Sequence, residues 1–94
     1  MPIFYLEPKD GDTSDPNWAA TYIHEGVWLV ARDPDDARMV MQGSALKATD
    51  FRPGETILSS PWITGRLTTC KADNPPHEIP EGKILTKSGR LFDV

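Results

Sequence analysis

An apolar run of strand length that passes directly into a helix start is the feature that most constrains this fold. Residues 27–31 are apolar and partly β-branched, as is typical of a β-strand. Asp33 is suited to the N-cap of a following helix, and Pro34 to its first position. Asp35 and Asp36 then place negative charge in the first turn, where the helix dipole favours it. The pattern predicts a strand that leads into a helix.

The helix is predicted over residues 34–42. Ala37, Val40 and Met41 have the i, i+3, i+4 spacing of a single apolar stripe. Gly43 is a candidate C-terminal stop, and the alternative is a further turn through residues 45–47. The stripe is expected to pack on a sheet.

Six further segments have strand character, and turn residues separate them. They are residues 3–6, 18–23, 56–58, 63–71, 83–86 and 90–94. The segment 18–23 is expected to pair with the strand 27–32 through the turn His24-Glu25-Gly26, where Gly26 can supply a positive φ if the turn requires one. Both faces of the strand 27–32 carry apolar residues, which favours a central position in the sheet. We expect an α+β fold in which one short helix packs on a mainly antiparallel sheet of four to six strands.

The chain has room for one domain, residues 1–94, with two polar loops. Residues 8–17 have no apolar residue between Pro8 and Pro16, and residues 73–81 begin with Asp73-Asn74-Pro75-Pro76. Because these loops have so little apolar surface to bury, we predict that both are mobile.

Charge and cysteine content limit the partners and the compartment. The net charge of −4 makes nucleic acid an unfavourable partner, because non-specific binding depends on neutralising phosphates. Cys70 is the only cysteine, which excludes an internal disulfide and favours a reducing compartment. The first residues lack the basic and apolar regions of a signal peptide, and no apolar run approaches the ~20 residues of a membrane helix. The expectation is a cytoplasmic protein without a membrane contact.

No motif in the sequence predicts a metal, a cofactor or a catalytic group. The segment from Asp10 to Ser14 resembles the start of an EF-hand loop, but Asp15 and Thr21 stand where that loop needs Gly and Glu. His24, Cys70 and His77 are too far apart in sequence for a zinc motif. The chain also lacks a glycine-rich phosphate loop.

The tryptophans and the basic side chains are the candidate contact residues of the sequence. Trp28 lies inside an apolar strand and is expected in the core, whereas Trp62 follows Ser59-Ser60-Pro61 and is a candidate contact residue. The candidate cationic contacts are Arg66, Lys83, Lys87 and Arg90. With Lys71, they would form a nucleic-acid surface only if they converged on one face.

Three functions remain open, and the favoured one is a small non-enzymatic binding or accessory module with a protein partner. The alternative is a nucleic-acid-associated regulatory protein, and the second alternative is a small enzyme that uses Cys70. An enzyme would need a pocket that joins Cys70 to a histidine and a carboxylate. We expect instead a structural thiol, sheltered by Leu67 and Ile63 on the strand 63–71. The residues do not predict an oligomeric state.

The segment 26–38, GVWLVARDPDDAR, resembles small uncharacterised bacterial proteins, domains of unknown function with a β-β-α start. In these proteins a strand hairpin leads into a helix opened by an acidic Ala-Arg turn. The later Pro61-Trp62, with Cys70 eight residues after Trp62, is also similar. The resemblance implies an α+β fold and carries over no catalytic or binding residue.

Overall fold

The computed structural model describes residues 2–45, 60–76, 78–80 and 82–93. Their β-strands are β1 (Ile3–Pro8), β2 (Val27–Val30), β3 (Thr68–Ala72), β4 (Lys83–Thr86) and β5 (Leu91–Asp93). The α-helix of this part of the chain is α1 (Pro34–Ala45). Short 3₁₀ turns span Lys9–Gly11, Pro16–Ala20 and Pro61–Ile63.

The five strands form one antiparallel sheet in the order β3-β1-β2-β4-β5. Strand β2 is central, as its two apolar faces predict, and β3 and β5 are the edges. Helix α1 packs against one face of this sheet. The predicted α+β class, with one helix on an antiparallel sheet, is confirmed.

Local signals set the start of α1 as predicted. The Asp33 carboxylate accepts the Asp36 N–H at 2.7 Å, which caps the helix. The Asp36 carboxylate in turn accepts the Arg32 N–H at 3.0 Å, and this bond holds the pKa of Asp36 below its usual value. The two bonds fix the angle at which the chain leaves β2.

The helix does not stop at Gly43, which lies inside α1, and the alternative extension is confirmed as far as Ala45. A glycine inside a helix costs only about 1 kcal/mol relative to alanine, so one glycine does not have to end it. Near this position the Ser44 hydroxyl donates to the Val40 carbonyl at 2.8 Å. Residues 46 and 47 of the alternative extension lie outside the described residues.

The core fills the space between α1 and one sheet face. Ala37 and Met41 are fully buried and Val40 packs beside them, which confirms the predicted stripe. The core residues of the sheet are Phe4, Leu6, Val27, Leu29 and Ile84. Trp18 and Trp62 complete this core with an edge-to-face contact, their ring centroids 5.3 Å apart.

The predicted strand 18–23 is wrong. Pro16–Ala20 forms a 3₁₀ turn, and the Asp15 carboxylate caps it by accepting the Asn17 N–H at 2.9 Å. Asp15-Pro16 thus acts as a helix-start signal and prevails over the alternating pattern that follows it. Strand β2 consequently pairs with β1, not with residues 18–23.

The predicted strand 63–71 is too long at its start. Pro61–Ile63 is a 3₁₀ turn in which the Ser60 hydroxyl accepts the Trp62 N–H, and β3 begins only at Thr68. Ile63 is consequently exposed and does not shelter Cys70. The candidate strand 56–58 lies outside the described residues.

Both predicted loops have anchored ends in the described part of the chain. The Lys9 N–H donates to the Leu67 carbonyl at 2.8 Å, and Asp15 forms an ion pair with Arg66. The Asp73 N–H donates to the Ile3 carbonyl at 3.1 Å. His77 lies outside the described residues, and the mobility of both loops stays a prediction.

Candidate contact face

The sheet has a second face, opposite to α1. Because side chains alternate along a strand, every second residue belongs to it, beginning with Ile3 and Tyr5 of β1. The strand register places further apolar side chains beside these two. We call this surface the open face, and its apolar residues are Ile3, Tyr5, Trp28, Val30, Leu85 and Leu91. None of the six belongs to the core cluster under α1.

One row of side chains crosses all five strands of the open face. Each residue of this row lies directly opposite the next in the strand register. From β3 to β5 the row is Lys71, Tyr5, Trp28, Leu85 and Leu91. The rings of Tyr5 and Trp28 lie 4.6 Å apart between centroids and are tilted by 37°. Neighbouring residues of such a row support one another, so the row is held in place by cross-strand contacts.

Exposure varies along the open face. Tyr5 and Leu85 are buried, and Ile3 and Trp28 are half-buried. Val30 is 38% exposed and Leu91 is 50% exposed. The accessible apolar surface is therefore supplied mainly by Val30 on β2 and Leu91 on β5, and the less exposed Trp28 and Leu85 lie between them.

The Tyr5 ring lies over Gly26. A Cβ atom added at Gly26 would overlap the phenol oxygen and ring of Tyr5, so glycine is required here for close approach. No positive φ is required at Gly26, because the positive-φ glycines among the described residues are Gly11, Gly82 and Gly89. Gly89 occupies the turn between β4 and β5, which pair as an antiparallel hairpin and confirm the two strand segments predicted there.

The phenol of Tyr5 is held in its protonated form. Burial raises the pKa of Tyr5 to about 12, assisted by a hydrogen bond with Glu7 and by the negative charges of Glu7, Asp73 and Glu25. A phenol with this pKa is neither a nucleophile nor a base near neutral pH. Tyr5 is thus a packing and hydrogen-bonding residue of the open face.

Charged residues of both signs border the apolar part of the open face. Alternation and register place Glu7, Lys71, Asp73, Lys83 and Asp93 there. Lys83 and Asp93 form an ion pair. Two positive and three negative side chains therefore give this border a mixed composition with one excess negative charge.

The tryptophans differ from their predicted positions. The Trp62 ring is fully buried and its indole N–H donates to the Thr21 hydroxyl at 3.0 Å, so the predicted contact role of Trp62 is corrected. Trp28, predicted in the core, instead lies half-buried on the open face. The indole N–H groups of Trp18 and Trp28 are buried and have no hydrogen-bond acceptor among the described residues.

The basic residues do not converge on one face. Arg66 precedes β3, whereas Lys83, Lys87 and Arg90 belong to the β4–β5 hairpin, which lies three to four strand spacings, or about 14–19 Å, away. Carboxylates lie close to several of these charges: Arg66 pairs with Asp15 at 3.4 Å and Lys83 with Asp93. The guanidinium of Arg90 lies 5.5 Å from the Phe92 ring centroid. The arrangement does not supply the continuous positive surface that a phosphate backbone needs.

Cys70 has the surroundings of a structural thiol. Burial raises its pKa, although the nearby Arg38 partly opposes that change. Its sulfur lies 3.9 Å from the Pro34 carbonyl oxygen of α1. In the described part of the chain, no three His, Cys, Asp or Glu side chains come together in a way that could hold a metal ion.

Sequence reasoning missed two polar links. The Arg38 guanidinium donates to the Thr68 hydroxyl at 2.7 Å and to the Trp62 and Thr68 carbonyls, each at 3.1 Å. The Glu25 carboxylate accepts the Ser88 N–H at 2.7 Å, which ties the β4–β5 turn to the start of β2. Each link joins residues at least 24 positions apart, so no local pattern indicates it.

Comparison of the chain with protein-family models, curated proteins and solved structures gives no match. None of the described helices is long and apolar enough to cross a membrane. The contacts, exposures and charges of the open face therefore carry the functional proposal.

Proposed function

We propose that this protein is a small non-enzymatic binding module that holds a protein partner on its open face. The observation that carries the proposal is the row Tyr5, Trp28, Leu85 and Leu91 across four neighbouring strands. Tyrosine and tryptophan are over-represented among the residues that dominate binding energy at protein interfaces. An apolar centre with a polar border is the usual composition of such an interface.

The partner that fits this face is a protein surface with a branched aliphatic or aromatic side chain at its centre. Such a side chain would contact Trp28 between the exposed Val30 and Leu91. The mixed border, with Lys83 paired to Asp93, matches a partner whose own border carries both signs of charge. Because Tyr5 and Trp28 already support each other, little side-chain order has to be gained on binding.

The two alternative functions have less support. The basic residues are separated and partly neutralised, which disfavours nucleic acid. An enzyme based on Cys70 needs an activated thiolate, whereas burial raises the pKa of this thiol. We place the module in the cytoplasm, where a free cysteine remains reduced, and retain the proposed likeness to small bacterial proteins of unknown function.

The test compares variants of exposed apolar residues on and off the open face. Val30→Asp and Leu91→Asp place a charge on the open face, and Met39→Asp is the matched control because Met39 is 64% exposed on α1. Tagged chains capture proteins from cells of the source organism, and quantitative mass spectrometry compares the retained proteins. Each protein that distinguishes the variants is then purified and titrated against all four chains. Urea unfolding first verifies that the variants fold.

We expect one partner to be retained by the native chain and by Met39→Asp. Its Kd should rise about tenfold or more for Leu91→Asp, the size typical of a residue at the centre of an interface. Equal binding by all chains, or a loss with Met39→Asp alone, would contradict the proposal.

A further inference from the structure

Strand β3 is an edge of the sheet, and part of its outer side has free hydrogen-bonding groups. The Lys9 N–H bonds to Leu67 and the Asp73 N–H bonds to Ile3, so the odd-numbered residues of β3 direct their main-chain groups towards β1. Cys70 and Ala72 therefore direct theirs outwards. Neither has an outward main-chain hydrogen bond to a described residue. Unpaired groups of this kind are a template for another strand.

The start of the same edge is closed. The Thr68 N–H donates to the Thr64 carbonyl at 3.2 Å, and the Thr68 carbonyl accepts from Arg38 at 3.1 Å. A strand added to β3 can therefore pair from Cys70 onwards but not at Thr68. This asymmetry restricts the registers that an added strand can adopt.

Two exposed side chains of opposite charge flank Ala72. Lys71 lies on the open face opposite Tyr5, and Asp73 is the next residue on that face, in register with Ile3. Neither forms an ion pair with another described residue. An antiparallel copy of the same segment presents these charges in reverse order.

We propose that β3 pairs antiparallel with β3 of a second copy of this chain, about a twofold axis through Ala72. The two Ala72 residues then exchange main-chain hydrogen bonds. Lys71 of each copy stands opposite Asp73 of the other in a non-hydrogen-bonded pair, where side chains are closest. The result is a ten-stranded sheet with the two open faces side by side. This dimer through β3 does not depend on the protein partner proposed for the open face.

The two neighbouring registers are unfavourable, one because of like charges and the other because of occupied main-chain groups. An axis through Lys71 would set two ammonium groups opposite each other, which is destabilising. An axis through Cys70 would require the Thr68 main-chain groups, which Thr64 and Arg38 already occupy. The axis through Ala72 sets opposite charges against each other and leaves Thr68 out of the pairing. It places Cys70 opposite Asn74, whose N–H donates to the adjacent Asp73 carboxylate at 2.9 Å, so the two Ala72 residues carry the main-chain hydrogen bonds of this register.

The test is sedimentation equilibrium of the full chain, whose monomer mass is 10.5 kDa, over a range of concentrations at low salt. We expect a monomer–dimer equilibrium that weakens as salt screens the ion pairs. Lys71→Glu and Asp73→Lys should each raise the dimer Kd about tenfold or more, because each puts like charges opposite each other. The double variant, Lys71→Glu with Asp73→Lys, should restore the dimer Kd of the native chain.

Lys87→Glu, on the far hairpin, is the matched control and should leave the dimer Kd unchanged. The combined variant Cys70→Ser with Ala72→Cys tests the register, since it should oxidise to a single disulfide-linked dimer. Circular dichroism verifies folding throughout. A native chain that stays monomeric, a dimer indifferent to the single charge changes, or a double variant that is not restored would overturn the proposal.

Discussion

Arg38→Met should be among the most destabilising single substitutions in the helix. The guanidinium joins α1 to the Trp62 and Thr68 carbonyls, and methionine retains most of the aliphatic volume but none of the donors. The Thr68 hydroxyl keeps other bonds, to the carbonyls of Pro61 and Thr64. Arg38→Met therefore leaves two carbonyl oxygens, those of Trp62 and Thr68, without their guanidinium donor.

The magnitude follows from those two bonds. A hydrogen bond to a charged group contributes about 1.5–3 kcal/mol, and the half-buried position of Arg38 favours the lower end. The expected loss in the free energy of unfolding is about 3 kcal/mol. With a urea m-value of about 1–1.5 kcal/mol/M for a chain of this size, the midpoint should fall by about 2 M or more.

Urea unfolding monitored by tryptophan fluorescence measures this change. Arg32→Met is the control, because Arg32 is exposed and its side chain makes, among the described residues, a single i,i+4 ion pair with Asp36 at 3.5 Å. That variant should remain within about 0.5 kcal/mol of the native chain. Equal midpoints for the two variants would refute the reasoning that Arg38 secures the helix to the Pro61–Ile63 turn and to β3.

Three further predictions concern Glu25, Gly26 and Cys70. The Ser88 bonds hold the pKa of Glu25 low, so its contribution to stability is present above the unfolded value of about 4.3 and is lost as pH falls through the folded pKa. Urea midpoints of the native chain and Glu25→Gln should thus differ at pH 7 and converge in acid; a constant difference would contradict this. Gly26→Ala should lower the free energy of unfolding by about 1–3 kcal/mol, because the added methyl group displaces the Tyr5 ring. The same substitution should cost less in a Tyr5→Leu background, and equal costs in both backgrounds would refute that contact. Cys70 should alkylate slowly at pH 7 in the native protein and fast in denaturant, and rapid native labelling would overturn its structural role.

Local signals explain what the sequence predicts well. Asp33, Pro34 and the Ala37–Val40–Met41 stripe lie within nine residues, so each supports the same helix start. The β4–β5 hairpin is equally local. Asp15-Pro16 carries the same kind of start signal as Asp33-Pro34, and the alternating pattern after it concealed the 3₁₀ turn.

The candidate site depends on pairing that no local pattern contains. Alternation alone assigns Ile3 and Tyr5 to one face, but only the register sets Tyr5 beside Trp28. The burial of Trp62 cannot be predicted from the residues around it, because its hydrogen-bond partner, Thr21, lies 41 residues earlier in the sequence. The contact surface consequently moves from Trp62 to the open face once the topology is known.

Photo-crosslinking in cells of the source organism tests the open face most directly. Leu91 and Met39 are both exposed, on the sheet and on the helix, and each is replaced in turn by p-benzoylphenylalanine. We expect an adduct with one other protein from position 91 and none with that protein from position 39. The same adduct from both positions, no adduct from position 91, or an adduct at twice the monomer mass alone would contradict this expectation.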